Sequence, residues 1–206
     1  MMRIFILLII LSSLSFSACK KKELNFKLKG TVTASNTGNA LAGVSIKVFT
    51  SSLGNSIEAL KESTQTDASG NYEITLQRDK YEKVAIRISK DNYFNEAKIY
   101  SFDDLTTEKA NTTNHIMSPK SWTRFTIKKN DPTGTLKILK NSGKIDCEEC
   151  CDNGFTYYTG TVDTEVICAN NGDTWMKFQY WKGDETHVVD SVFNTAFQTV
   201  DYEIRY

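Results

Sequence analysis

Thr66-Asp67-Ala68-Ser69-Gly70-Asn71-Tyr72-Glu73-Ile74-Thr75-Leu76 reads as a turn followed by a strand. The first half gathers Asp, Ser, Gly and Asn, which close turns on their own backbone or tolerate a left-handed conformation. The second half sets Tyr72, Ile74 and Leu76 on one face and Glu73 and Thr75 on the other, the period-two pattern of a strand with one side in a core. The same alternation recurs on both sides of this stretch. Phe26 and Leu28 alternate with lysines, Val44, Ile46 and Val48 with Ser45 and Lys47, and Val84, Ile86 and Ile88 with Ala85 and Arg87. Asn36-Thr37-Gly38-Asn39 supplies another turn. No segment after residue 20 sustains a helical period. The nearest is Gly54 to Ser63, where Leu53, Ile57 and Leu60 recur at helical spacing; flanked by Ser and Gly, it reads as a loop with at most one helical turn. Many short strands at regular spacing predict a β-sandwich.

Lys120 to Tyr206 has a different texture, holding all three tryptophans and four of the five cysteines. Thr123, Phe125 and Ile127 begin an alternating strand, and Asp131-Pro132-Thr133-Gly134 is a turn. Leu136, Ile138, Val162, Val166 and Ile167 mark further strands, with turns at Asn170-Asn171-Gly172-Asp173 and Lys182-Gly183-Asp184. Val200, Tyr202, Ile204 and Tyr206 face one way on the last strand, and Asp201, Glu203 and Arg205 the other. The expected fold is all-β, two tandem β-sandwiches over residues 24–119 and 120–206.

A chain of 206 residues accommodates one domain or two small ones. Its 25 basic and 25 acidic side chains cancel, so the basic footprint that displaces counterions from phosphates is missing and no nucleic-acid partner is expected. No Gly-x-Ser-x-Gly elbow, phosphate loop or His-Glu-x-x-His occurs, so neither a cofactor nor a catalytic constellation is expected. Asp103-Asp104 reads as a pair of solvated loop carboxylates.

Gly30-Thr31-Val32, Gly38-Asn39-Ala40-Leu41-Ala42-Gly43-Val44-Ser45-Ile46-Lys47-Val48 and Thr66 to Ile74 together resemble the carboxypeptidase regulatory-like domain. Ile88-Ser89-Lys90-Asp91-Asn92-Tyr93 is similar to its next-strand motif, with Asn92 where glycine is usual, and His115-Ile116-Met117-Ser118-Pro119 to its closing strand. Asn is the next-best residue for a left-handed turn. The resemblance covers Leu24 to Pro119. It implies a transthyretin-like Greek-key sandwich and a non-catalytic module that supports or presents something else. Related sandwiches include hydroxyisourate hydrolases, with several histidines and a characteristic C-terminal tetrapeptide, and intradiol dioxygenases, with iron on two Tyr and two His. This chain has only His115 and His187, in separate predicted domains, and ends Glu203-Ile204-Arg205-Tyr206, so an enzyme remains a remote reading.

The N-terminus carries an address. Arg3 precedes eight unbroken apolar residues, Ile4 to Leu11, far short of the roughly 20 that cross a bilayer as a helix and suited to a secretory signal. Phe16-Ser17-Ala18-Cys19 resembles a bacterial lipobox, with Phe16 in place of the usual Leu. The resemblance implies removal of residues 1–18 and acylation of Cys19, each buried methylene contributing about 0.8 kcal/mol to anchoring. Residues 19–23 form a lipidated tether; Lys20-Lys21-Lys22-Glu23 reaches only about 15 Å. Its lysines are similar to the charged tracts that mark surface export in some outer-membrane lipoproteins, though those are more acidic; a spacer drawn to anionic headgroups is the equal reading. The expected place is the cell envelope, lipid-anchored at the outer membrane, with either face open.

Two clusters in the second half remain. Cys147, Cys150, Cys151 and Cys168 carry one Cys-x-x-Cys, but Cys168 stands alone with no nearby His, which disfavours zinc. In an exported chain two disulfides are favoured. A Cys150–Cys151 bond would strain its ring, so Cys168 pairs with Cys150, Cys151 or Cys147, closing a loop worth about 3 kcal/mol. Asp146, Glu148, Glu149 and Asp152 offer oxygens for calcium; a solvated acidic loop is the favoured reading, and no metal is expected. Along Thr174 to Trp181, Met176, Phe178 and Tyr180 point inward, and Trp175, Lys177, Gln179 and Trp181 share the other face. Two indoles beside Lys and Gln suit an aromatic platform for sugar rings or a protein hot spot, or packing against a loop or the first domain. The expected function is non-catalytic: a spacer presenting a recognition domain for an extended glycan, peptide or partner protein. A purely structural or adhesive surface protein is the alternative.

Overall fold

The computed structural model describes residues 24–145, 147–183 and 186–206. The signal and tether, with Cys19, lie outside the described residues, as do Asp146, Asp184 and Glu185. In chain order the strands are β1 (Asn25–Ala34), β2 (Ser45–Ser52), β3 (Ala59–Gln65), β4 (Asn71–Gln77), β5 (Tyr81–Ser89), β6 (Glu96–Ser101), β7 (Asn111–Thr112) and β8 (His115–Met117). They continue as β9 (Lys120–Lys129), β10 (Thr135–Lys140), β11 (Phe155–Thr159), β12 (Val162–Asn171), β13 (Thr174–Lys182), β14 (Thr186–Asn194) and β15 (Thr199–Arg205). A 3-10 turn at Phe102–Asp104 is the one helical element among the described residues, and it holds Asp103 and Asp104.

Four sheets form two sandwiches. In the first, β4-β1-β7, with β8 also on β1, faces β3-β2-β5-β6. Alternation decides which side chains meet: Phe26, Leu28, Ile46, Val48, Ile74, Leu76, Val84, Ile86 and Ile88 are all buried in one core. Asp67 shapes the turn before β4 by accepting the backbone N–H groups of Ser69 and Asn71, each at 2.8 Å. Gly70 there takes φ +73°, with no room for a Cβ, which would lie 2.8 Å from the Val32 carbonyl oxygen.

One expectation is corrected. The second half of the stretch read as a loop with at most one helical turn belongs to strand β3, paired antiparallel with β2 from Ser45↔Gln65 to Thr50↔Ala59. Its alternation is invisible because β3 is an edge strand exposed along nearly its whole length, so no core face selects apolar residues.

In the second sandwich, β12-β9-β15 faces β11-β10-β13-β14. Phe125, Ile127, Leu136, Met176, Phe178 and Ile204 fill its core. β9 alternates without a break, and its last inward residue is Lys129, fully buried. The Lys129 ammonium donates to the carbonyls of Thr133 at 2.8 Å, Gly160 at 3.0 Å and Asp131, and lies over the Tyr206 ring.

The sandwiches meet at the segment joining β8 to β9. Lys120 donates its N–H to the Asn92 carbonyl at 2.8 Å and accepts from Phe197 N–H at 2.7 Å, while Gly172 N–H reaches the Pro119 carbonyl at 2.8 Å. The Phe197 ring packs edge-on against Tyr93, and Asn36 Nδ2 donates to Asp173 Oδ2 at 2.6 Å. Among the described residues, three non-glycine residues have positive φ: Asn92 at 63°, Asp173 at 56° and Phe197 at 65°. All three sit at this junction, where a left-handed backbone persists only if its surroundings hold it.

Candidate functional site

The outer face of β11-β10-β13-β14 is built by register. Reading across the sheet, Tyr157 lies opposite Lys137, Lys137 opposite Trp181, and Trp181 opposite His187. The next outward row runs Phe155, Leu139, Gln179 and Val189; further along β13, Lys177 faces Ser191 and Trp175 faces Phe193. Trp175, Lys177, Gln179 and Trp181 therefore share one face, opposite the buried Met176, Phe178 and Tyr180. Trp175 is 57% exposed and packs edge-on against its cross-strand neighbour Phe193 at 5.4 Å. Trp181 is half-buried on the sheet surface. Its indole stacks on the His187 imidazole at 4.7 Å and 7°, meets Phe155 at 5.6 Å, and carries the Lys137 ammonium 5.0 Å from its centroid.

Polar groups lie between the two indoles. Gln179 Nε2 donates to Asn141 Oδ1 at 2.9 Å, and His187 Nε2 sits 2.8 Å from Gln179 Oε1. An amide oxygen only accepts, so that imidazole nitrogen carries the proton. Lys177 N–H donates to Ser142 Oγ at 3.1 Å, laying residues 141–142 along β13 where β10 has ended. Phe155, Tyr157, Trp175, Val189 and Phe193 are all exposed on this face, apolar side chains interrupted by Lys177, Ser191 and Gln179. The sequence pointed to β13 and missed its neighbours. β11 carries aromatics on both faces, and adjacent Val188 and Val189 blur the period of β14.

The cysteines form two disulfides, Cys147–Cys150 and Cys151–Cys168, the second fastening the loop before β11 to β12. Among the described residues no group of three or more His, Cys, Asp or Glu side chains is placed to hold a metal. Glu149 of the acidic loop pairs instead with Lys120, and Asp146 lies outside the described residues. Beside the Cys151–Cys168 bond, a cavity of about 240 Å³ opens between the two sheets, with Phe125, Ile127, Met176 and Phe178 among its walls and Lys140 and Asp152 at its rim. Lys140 donates to the carbonyls of Lys144, at 2.7 Å, and Cys151; burial draws its pKa down, with the nearby Asp152 carboxylate opposing.

The two histidines lie in different sandwiches. His115 is buried, with Nε2 3.2 Å from the Tyr72 hydroxyl, which donates to the Thr113 carbonyl at 2.6 Å. Burial, helped by Lys98, pulls His115 down to about 4, and burial pushes Tyr72 up to about 12. The pair is neutral across the physiological range and serves as a core hydrogen-bond cluster.

No family model and no curated protein matches this sequence. Solved structures overlap it only loosely. The Bacillus anthracis TIE protein matches with TM-score 0.38 and 13% identity over 88% of this chain, which spans about a third (34%) of that protein's length. The shaft pilin SpaA from Lactobacillus rhamnosus GG matches with TM-score 0.37 and 8% identity, over 88% of this chain and 97% of the pilin. Chlorocatechol 1,2-dioxygenase from Pseudomonas putida matches with TM-score 0.36 and 15% identity, over 46% of this chain and 60% of the enzyme. At these scores the likeness carries no functional information. Among the described residues no helix is long and apolar enough to cross a membrane.

Proposed function

We propose that the protein is a non-catalytic, lipid-anchored component of the cell envelope that binds an extended ligand on the outer face of β11-β10-β13-β14. In this reading residues 24–119, which resemble the carboxypeptidase regulatory-like domain, are the spacer, and residues 120–206 carry recognition. One observation carries the proposal: Trp175 and Trp181 share an open sheet face, with aromatic neighbours packed beside each and Gln179 and Lys177 between them. Six residues of strand separate the indoles by about 20 Å, too far to grip one sugar ring and well suited to a chain. The exposed Trp175 indole offers a flat surface to a sugar ring, and the Gln179 amide and the Trp181–His187 stack lie further along the same face, an arrangement that suits an oligosaccharide. Binding of the full chain to immobilised polysaccharides tests this. Trp175→Ala is expected to weaken binding about thirtyfold, as loss of about 2 kcal/mol at a hot spot does, with the thermal midpoint unchanged. Unchanged binding, or a midpoint lowered by many degrees, would refute the role.

The junction supports a second reading, a structural or adhesive surface protein. Three residues held in left-handed backbone, together with the Tyr93–Phe197 contact, lock one sandwich to the other, as a stiff stalk requires.

A further inference from the structure

The first sandwich has two unlike ends. At one, Asn36, Tyr93 and Lys120 hold the second sandwich. The other is where the described chain begins: Leu24 accepts the Arg78 N–H at 3.0 Å, and Asn25 pairs with Gln77. The β2–β3 loop ends here too, because Ser52 pairs with Tyr81 and Lys83 with Ser101. Leu53, Arg78, Tyr81 and Phe102 consequently border one concavity. On the β2–β3 loop, Leu53 and Ile57 are 75% and 76% exposed, the most exposed large apolar side chains among the described residues. The loop is ordered around them. Gly54 takes φ +73°, Asn55 N–H donates to the Ser52 carbonyl at 3.0 Å, and Asn55 Oδ1 accepts Ile57 N–H at 2.9 Å. Two large aliphatic side chains are held in water at the end of the molecule that the chain enters.

We infer that this end rests on the bilayer and that Leu53 and Ile57 sit in its interfacial layer. The inference rests on the lipid-anchored reading of Cys19. From Cys19 to Leu24 an extended chain spans at most about 18 Å, so an acylated Cys19 keeps this end of the sandwich at the headgroups. Apolar side chains brought that close are removed from water by sinking into the boundary between headgroups and acyl chains. Charge on the folded surface does not drive the contact. Around the same concavity Arg78 and Lys80 face Asp79, Glu82 and Asp103, so the surface has no excess of cations to seek anionic lipid. The contact made by Leu53 and Ile57 is apolar, and any pull of anionic lipid comes from Lys20, Lys21 and Lys22 of the tether. It also fixes orientation: the second sandwich, with Trp175 and Trp181, points away from the membrane.

The test uses purified lipidated protein in phosphatidylcholine vesicles, with an environment-sensitive nitrobenzoxadiazole label on Leu53→Cys or Ile57→Cys. Ile116→Cys is the reference; Ile116 is 64% exposed and pairs with Thr33, towards the far end of β1. Labels at 53 and 57 are expected to shift to the blue and to be quenched by lipids carrying a nitroxide near the headgroup, already in vesicles of neutral lipid alone. The label at 116 is expected to do neither. Labels at 53 and 57 as wet as that at 116, on protein that stays vesicle-bound, would overturn the membrane contact. Purified protein lacking acyl mass and failing to bind vesicles would overturn the anchor reading, and this inference with it.

Discussion

His115 and Lys129 show at single-residue scale how each sandwich handles a buried polar group. An ordinary imidazole titrates near 6.5, whereas buried His115 titrates at about 4. Between those values the unfolded chain binds a proton that the folded chain does not, so stability falls as pH drops from 6.5 to 4 and is level above. Thermal midpoints across that range are expected to fall with pH in the wild type and to flatten in His115→Gln; an identical slope in both would contradict the assignment. Asp131 and Asp173 are held below the usual carboxylate range, chiefly by hydrogen bonds from Thr133 and Ala196 respectively, so their contribution is lost only at lower pH. Lys129 presents the opposite solution, a cation buried because three carbonyls accept its protons. Lys129→Met leaves those oxygens without a donor and is expected to lower stability by at least about 2 kcal/mol in urea unfolding. A variant as stable as the wild type would show that water replaces the ammonium.

Strands were legible where one face is buried and opaque where neither is. β4 reads directly from Tyr72, Ile74 and Leu76, and β13 from Met176, Phe178 and Tyr180, because burial imposes a period of two. β3 lies exposed at a sheet edge, and the helix-like spacing of Leu53, Ile57 and Leu60 comes mostly from the loop before it. The candidate site was half legible for the same reason. Trp175 and Trp181 stand out beside an inward-facing run, but Phe155, Tyr157, His187 and Phe193 reach the same face only through strand register, which no local pattern records. Disulfide connectivity was likewise undetermined, since spacing allows several partners for Cys168. The two bonds differ in the loops they close, with sequence separations of 17 for Cys151–Cys168 and 3 for Cys147–Cys150. Replacing Cys151 and Cys168 by alanine is expected to cost about 3 kcal/mol, and replacing the other pair about 2. Equal or reversed losses in calorimetry would argue against this connectivity.

At the scale of the whole molecule the junction decides whether the sandwiches act together. Phe197 adopts φ +65° while donating to Lys120 and packing on Tyr93. Phe197→Gly relieves the backbone but removes the ring. It is expected to leave both cores folded and to widen the distribution of distances between spin labels placed one on each sandwich. A distribution as narrow as the wild type's would show that the backbone hydrogen bonds suffice.

The recognition role turns on the length of the face between Trp175 and Trp181, and calorimetric titration of the full chain with an oligosaccharide length series measures it most directly. Affinity is expected to rise with chain length until the ligand spans about 20 Å and then to level, the monosaccharide is not expected to compete, and Trp175→Ala is expected to flatten the rise. A monosaccharide that competes as well as the longest chain, or a length dependence unchanged in Trp175→Ala, would contradict it.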